Sequence, residues 1–276
     1  MRKLSIKFDG IRVGVLIFLM IFYLFPLYWM VVTSLRAPEL VNHDVSLFPT
    51  SVTFKSYIYM IKNTNFPRQF YNSFVVAIVT TILSTILATL AGYGFSRLRF
   101  KGKEFLKTGI LIFQMFPKIM LVTPYFIMMR KLGLINTHLA LILAYTSFTQ
   151  PFCIWMLIGF FDAIPTDLDD CAFVDGANRL QTFFKIILPL AAPGVAATAL
   201  FALILSWEEF LFSLVLAVSP NAVLLPQGLA SMITEYDTLY EPMMAGAVMV
   251  STPLILIYIF LEKYFVSGLT AGAVKG

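Results

Sequence analysis

Long apolar runs separated by short polar segments set the layout of this chain. A helix crosses the bilayer core with about 20 apolar residues. Runs of that kind occupy 13–33, 72–95, 108–129, 139–161, 190–218 and 243–261, which predicts six spans. The first run is too long for the apolar region of a cleaved leader, and no small-x-small site follows it, so it reads as an uncleaved first helix. The segment 34–71 carries Arg36, Glu39, Asp44, Lys55, Lys62 and Arg68 together with Pro38, Pro49 and Pro67. No apolar run of roughly 18 residues fits inside it, so it is an extramembrane loop with room for a short surface helix. Asn72-Ser73 offers an N-cap for the second span, and Asn136-Thr137 one for the fourth. Pro117, Pro124 and Pro151 fall inside the third and fourth spans. Each removes a helical hydrogen bond, which predicts kinks that serve either packing or the lining of a solute path.

Charge then orients the bundle. The chain has 20 Lys+Arg against 15 Asp+Glu. Six spans put both termini on one side. Thirteen basic residues fall on that side, six fall on the other, and Lys118 lies within a span. The positive-inside rule places both termini in the cytoplasm. The segment 162–188 is then cytoplasmic, and 34–71 and 219–242 face outward.

Composition narrows the class further. Hydrophobic residues make up 59% of the chain and charged residues 13%, against ~45–50% and ~25% in soluble domains. An ordinary water-soluble enzyme and a disordered tail are excluded. Basic residues scattered among spans form no nucleic-acid-binding patch. Cys153 and Cys171 form no CxxC or Cys/His cluster, and His43 and His138 lie far apart, so neither a zinc site nor a disulfide framework is indicated. The fold class is all-α integral membrane, multi-pass in the cell membrane, in contact with lipid.

The cytoplasmic segment carries the most local information. Thr166 is followed three residues later by Asp169, an acidic variant of the capping box. Asp167, Asp169 and Asp170 occupy the first turn, where carboxylates favour the positive end of the helix dipole. Gly176 suits the residue just past the helix end. This predicts a short helix over 167–175. Asn178 with Gln181 repeats the cap spacing, and Leu180, Phe183, Phe184 and Ile187 then line one apolar face ahead of Pro189. Such short helices are marginal alone and need a surface to dock on, either the chain's own bundle or a partner.

Here the sequence resembles a known family. Asp170-Cys171-Ala172, three residues, Gly176, nine residues, then Ile186-Ile187-Leu188-Pro189 is similar to the EAA loop of ABC-importer permeases. The spacing of Glu-Ala-Ala, Gly and Ile-x-Leu-Pro is kept. Asp170 replaces Glu and Cys171 replaces the first Ala. Leu132-Gly133-Leu134-Ile135-Asn136-Thr137 resembles the turn before the fourth span of sugar-type permeases. Trp207-Glu208-Glu209-Phe210 resembles their Trp-Asn-Glu-Phe, with Glu208 in place of Asn. The ending Gly268-Leu269-Thr270-Ala271-Gly272-Ala273-Val274-Lys275-Gly276 resembles the tail of the G-type subunit in maltose-type transporters.

The resemblance implies a type I ABC-importer permease bundle with a cytoplasmic coupling helix. It implies three parts: 1–71, the N-terminal tail, first span and outward loop; 72–262, a core of five helices with the coupling loop 162–188; and 263–276, a cytoplasmic tail. It implies an ATPase-coupling set of Thr166, Asp167, Asp169, Asp170, Cys171, Ala172, Asp175, Gly176, Ala177 and Pro189. Asp170 would pair with a basic residue of the ATPase, and Gly176 would allow close backbone approach. Gly268, Leu269, Thr270, Gly272 and Lys275 of the tail would also reach the ATPase. No GxxxxGK[ST] phosphate loop occurs in the chain. This subunit is therefore expected to be non-catalytic and to bind no cofactor, with ATP and magnesium on a partner ATPase dimer. A second permease subunit and an extracytoplasmic solute-binding protein complete the partners, and the solute is a sugar. Polyols or glycerol phosphate fit the same pattern.

Glu208 and Glu209 are adjacent carboxylates in the fifth run, and Trp207 precedes them. Charge at membrane depth is costly and points to function. Neighbouring side chains on a helix diverge by about 100°, so one carboxylate can face a lumen while the other pairs with a helix. They read as a translocation path or gate, or as structural hydrogen-bonding groups. They also keep open a secondary transporter that uses membrane carboxylates. Lys118 is either their partner or a side chain that reaches to the interface.

Overall fold

The computed structural model describes residues 10–37, 46–48, 51–233 and 239–273, with side chains described up to 260. All regular elements among them are helices: α1 (Gly10–Ser34), α2 (Lys55–Asn63), α3 (Phe66–Arg97), α4 (Lys103–Met115), α5 (Lys118–Lys131), α6 (His138–Asp162), α7 (Asp167–Val174), α8 (Arg179–Thr182), α9 (Leu188–Trp207), α10 (Leu211–Leu216), α11 (Leu225–Ala230) and α12 (Tyr240–Ala273). The chain packs as two compact units, Met1–Phe66 with Leu229–Thr252 and Pro67–Gly228 with Pro253–Gly276.

In the first unit α1 is apolar on every side, and only 6% of its spanning window is buried. A helix of that kind needs lipid or another subunit around it. Its C-terminal end is tied down. Ser34 and Tyr57 share a hydrogen bond of 2.7 Å, the Thr53 amide donates to the Leu35 carbonyl at 2.8 Å, and the Arg36 guanidinium lies 4.9 Å from the Trp29 ring centroid. The short surface helix for which 34–71 had room is α2.

In the second unit α6 is the spine, and it passes through Pro151 without a break. One end of α6 holds a core of Leu141, Ala144 and Tyr145 against Val76, Met129, Phe212 and Leu216. The other end holds Cys153, Leu157 and Phe161 against Ala88, Phe183 and Ile187. Gly92 lets α3 approach α6 closely, since a Cβ there would lie 2.9 Å from the Leu157 Cβ.

Among the described residues five helices are long and apolar enough to span, and α4 with α5 is a pair bent by 97° that makes a sixth if the two are one broken span. Three expectations change. The run 108–129 is not one straight span, because the chain leaves the helix at Phe116 and Pro117, both with extended backbone. Pro117 has no amide hydrogen to continue the ladder and disfavours helix in the residue before it. The second span begins at Phe66 rather than at a cap of Asn72-Ser73, so both residues lie inside α3. The fifth run starts earlier and ends earlier than 190–218. It is continuous from Arg179, through a π-helical turn at Phe183–Ile187, to Trp207. Pro189 therefore lies at the start of α9 instead of following a separate short helix. The wider turn just before it accommodates the missing donor and the ring. At the other end α12 runs to Ala273, so most of 263–276 is helical.

Candidate functional site: the cytoplasmic elbow and the membrane breaks

α7 forms where the acidic first turn predicted it. Asp167, Asp169 and Asp170 sit at its N-terminus. The Thr166 side chain does not cap it, because Thr166 is itself in helical backbone and makes no side-chain cap bond. Instead its carbonyl accepts from the Asp169 and Asp170 amides, at 2.9 and 3.2 Å. The C-terminus closes as a Schellman motif. The Gly176 amide donates to Phe173 at 3.1 Å and the Ala177 amide to Ala172 at 2.9 Å, with Gly176 at φ +85°. Asn178 and Gln181 then form a reciprocal capping box, each backbone amide donating to the other's side-chain oxygen at 2.9 Å.

The two sides of α7 differ in character. Asp169 and Ala172, three residues apart, are buried. Asp169 meets the Nε of Arg97 at 3.0 Å, with both side chains about 10% exposed. Arg97 also donates through Nη2 to the Ile164 carbonyl at 2.7 Å. The last turn of α3 thus holds both the entry to α7 and its inner face. Beneath this junction Tyr93, Phe161 and Phe183 pack together, with ring centroids 4.6 Å apart for Tyr93 and Phe183. The outer face carries Asp167, Asp170, Cys171 and Val174, all exposed. Val174 is 87% exposed, and Leu168, Phe173, Leu180 and Phe184 are exposed as well. Thr166, Asp175 and Gly176 are also exposed.

Of the residues expected to act in coupling, 166–177 therefore come together at one elbow, but Asp169 and Ala172 face inward. Pro189 is exposed and sits in α9. Lys275 lies outside the described residues. Of Gly268, Leu269, Thr270 and Gly272 only the backbone in α12 is described.

The second candidate region is the end of α9. Helical structure stops at Trp207, and 208–210 are non-helical before α10. Glu209 caps that restart, because its Oε2 accepts from the Phe212 amide at 3.0 Å. The Tyr145 hydroxyl donates to the Glu209 carbonyl at 3.3 Å. Trp207 is buried and meets the Phe70 ring edge-on at 5.9 Å. Glu208 is exposed. The two carboxylates thus divide as a helix-end cap and an open group. Lys118 begins α5 at the other membrane break, with Nζ 6.0 Å from the Phe148 ring centroid.

Two residues that matter here were not singled out by sequence reasoning. Arg97 counted only toward the basic loop, and no local pattern distinguishes it from Arg99. Asn72 was read as a cap. It is fully buried, and its Nδ2 donates to the carbonyls of Asn221 and Val223 at 2.9 and 3.1 Å. Among the described residues no group of three His, Cys, Asp or Glu could hold a metal ion.

Comparisons with known proteins agree with this architecture. Residues 82–270 match the family described as binding-protein-dependent transport system inner membrane component. The trehalose/maltose transport system permease protein MalG of Thermococcus litoralis is 36% identical over 264 residues, covering 94% of each chain. The trehalose transport system permease protein SugB of Mycobacterium tuberculosis is 36% identical over 256 residues, covering 92% of this chain and 93% of its own. Among solved structures, a chain of a bacterial ABC transporter for alginate import superposes with a TM-score of 0.82 at 23% identity, over 96% of this chain and 99% of that one. By sequence and by fold, this chain belongs to the family of inner membrane components of binding-protein-dependent transport systems.

Proposed function

We propose that this chain is a permease subunit of an ATP-driven importer of a di- or oligosaccharide. It forms half of the translocation pathway beside a second, different permease subunit. A cytosolic ATPase dimer carries the ATP and magnesium, and an extracytoplasmic binding protein delivers the solute to the outward segments 34–71 and 219–242. The family membership and the sugar-transport relatives support the class and the solute.

The observation that carries the coupling role is the two-sided α7. Its inner face is fixed to the chain's own bundle by Asp169 and Arg97. Its outer face offers Asp170 and Val174 to another molecule. A short helix held by a buried ion pair moves as one body with α3. ATP-driven closure of the ATPase dimer would then rock the bundle rather than bend a loop. Asp170 pairs with a basic residue of the ATPase, and Gly176 keeps the elbow free of a side chain. Residues 263–276 serve as a second ATPase contact, and 72–262 as the transport core.

The breaks at 116–117 and 208–210 support a path or gate beside Trp207, Glu208 and Glu209. Non-helical backbone at membrane depth is tolerated only where protein buries it or where it lines an aqueous cavity.

The test is co-expression with the neighbouring permease and ATPase, followed by purification through a tag on this chain. The ATPase should copurify with wild type and be lost with an Asp170→Lys, Gly176→Trp double variant. Equal recovery with both would overturn the docking role of α7.

A further inference from the structure

The second unit encloses a cavity of about 390 Å³ between α4, α5, α6, α9 and α10. Its size falls within the ~300–1,000 Å³ range of small-molecule sites. The walls are aromatic: Phe113, Phe148, Phe152, Phe201 and Phe212 all line it. They stand in two groups. Phe148 links Phe113 and Phe212, at centroid distances of 5.8 and 4.8 Å, and Phe152 meets Phe201 edge-on at 5.2 Å. Few polar groups enter: Gln114 near the end of α4, Lys118 at the start of α5, Tyr145 and Thr149 from α6, and Glu209 from the break after α9.

We infer that this cavity is a solute subsite of this chain itself, which takes one pyranose ring of the transported carbohydrate. The inference rests on the sugar-import reading above. A pyranose has flat C–H faces and a rim of hydroxyls. Aromatic walls match the faces. Sparse, fixed polar groups match the rim and orient the ring. Lys118 offers three donors, and the Glu209 carboxylate keeps acceptor capacity after its bond from Phe212. The ammonium and the carboxylate offset each other, which favours a neutral solute over an acidic sugar or a phosphate ester. The flat walls favour a ring over an acyclic polyol. Through Lys118 and Glu209 a bound ring touches both breaks, beside the non-helical residues 116–117 and 208–210.

The test uses the whole transporter in proteoliposomes, with its partner permease, ATPase and binding protein. Maltose, trehalose, sorbitol and glycerol 3-phosphate serve as solutes. Gln114→Ala and Lys118→Met should each raise the KM for transport of the preferred sugar by about tenfold, the scale of one hydrogen bond. Phe201→Trp in the purified complex without binding protein should show fluorescence quenching by that sugar and none by sorbitol. If wild type transports sorbitol or glycerol 3-phosphate and neither sugar, the sugar-import reading fails. If wild type transports sugar but both variants keep its KM, or if Phe201→Trp does not respond, the subsite is overturned. Should a KM variant fail to assemble, the Phe201→Trp signal alone decides.

Discussion

The two ends of the second unit are fastened by different chemistry. At the α7 end a charged pair joins Arg97 to Asp169, and an aromatic trio packs beneath it. At the opposite end the joints are neutral. Asn72 donates to two carbonyls of the segment after α10, Ser73 accepts from the Leu225 amide at 2.8 Å, and the Asn136 side chain accepts from the Ser219 amide at 2.8 Å. A buried ion pair stands or falls as a unit, because removing one partner leaves the other uncompensated. A set of neutral bonds fails piecemeal, each bond costing little. The end proposed to receive force from an ATPase is thus held all or none. The end proposed to receive solute is held by several weaker ties.

Single and paired substitutions test that contrast. The largest effect is expected from Asp169→Ala, which strands the Arg97 guanidinium. It should lower stability by about 3–5 kcal/mol, read as a fall in the unfolding midpoint of the purified complex. The double change Arg97→Met, Asp169→Leu should recover most of that loss, since an apolar pair of similar size can replace a buried ion pair. A double variant as damaged as the single one would mean the charge itself is required. Asn72→Ala comes next, at about 2 kcal/mol for the hydrogen bonds lost. Its hydrogen exchange should rise in 219–225 and stay unchanged in 166–177. Gly176→Ala should cost least, about 1 kcal/mol, because the space around Gly176 is open and only its left-handed backbone resists a Cβ. ATPase recovery with that variant should stay near wild type, in contrast to the double variant that carries Trp.

These joints were unequally legible in the sequence. The capping box of Asn178 and Gln181 and the turn at Gly176 depend on residues within a few positions of each other, so spacing alone revealed them. Thr166 shows the limit of spacing. It has the cap residue type and the acidic partner three residues on, but Asp169 is drawn to Arg97, a partner from another helix. Asn72 failed as a cap for the same reason, since its bonds reach across to Asn221 and Val223. Apolar runs located the spans but did not show where backbone leaves the helix. The bend at Phe116 and Pro117 lies within an unbroken apolar stretch, and hydropathy measures transfer to lipid, not chain direction. Trp207-Glu208-Glu209 marked a site because carboxylates interrupted such a stretch. Their division of labour rests on the Phe212 amide, three residues on, and on Tyr145 of another helix, which no local pattern connects to them.

The uninterrupted helical stretch from Arg179 to Trp207 has a mechanical consequence. Its 29 residues make a rod of about 43 Å at 1.5 Å per residue. One tip is the capping box beside α7, and the other is the break that holds Glu208 and Glu209. A rod of this length that pivots near its middle by ~10° displaces each tip by roughly 4 Å in opposite directions. A push on the cytoplasmic tip can therefore reach the Glu208 and Glu209 tip at once, with no relay of side-chain rearrangements between them. Replacing Ala196 and Ala197 by glycine would soften the rod without changing its register, leaving both tips intact while weakening their mechanical connection.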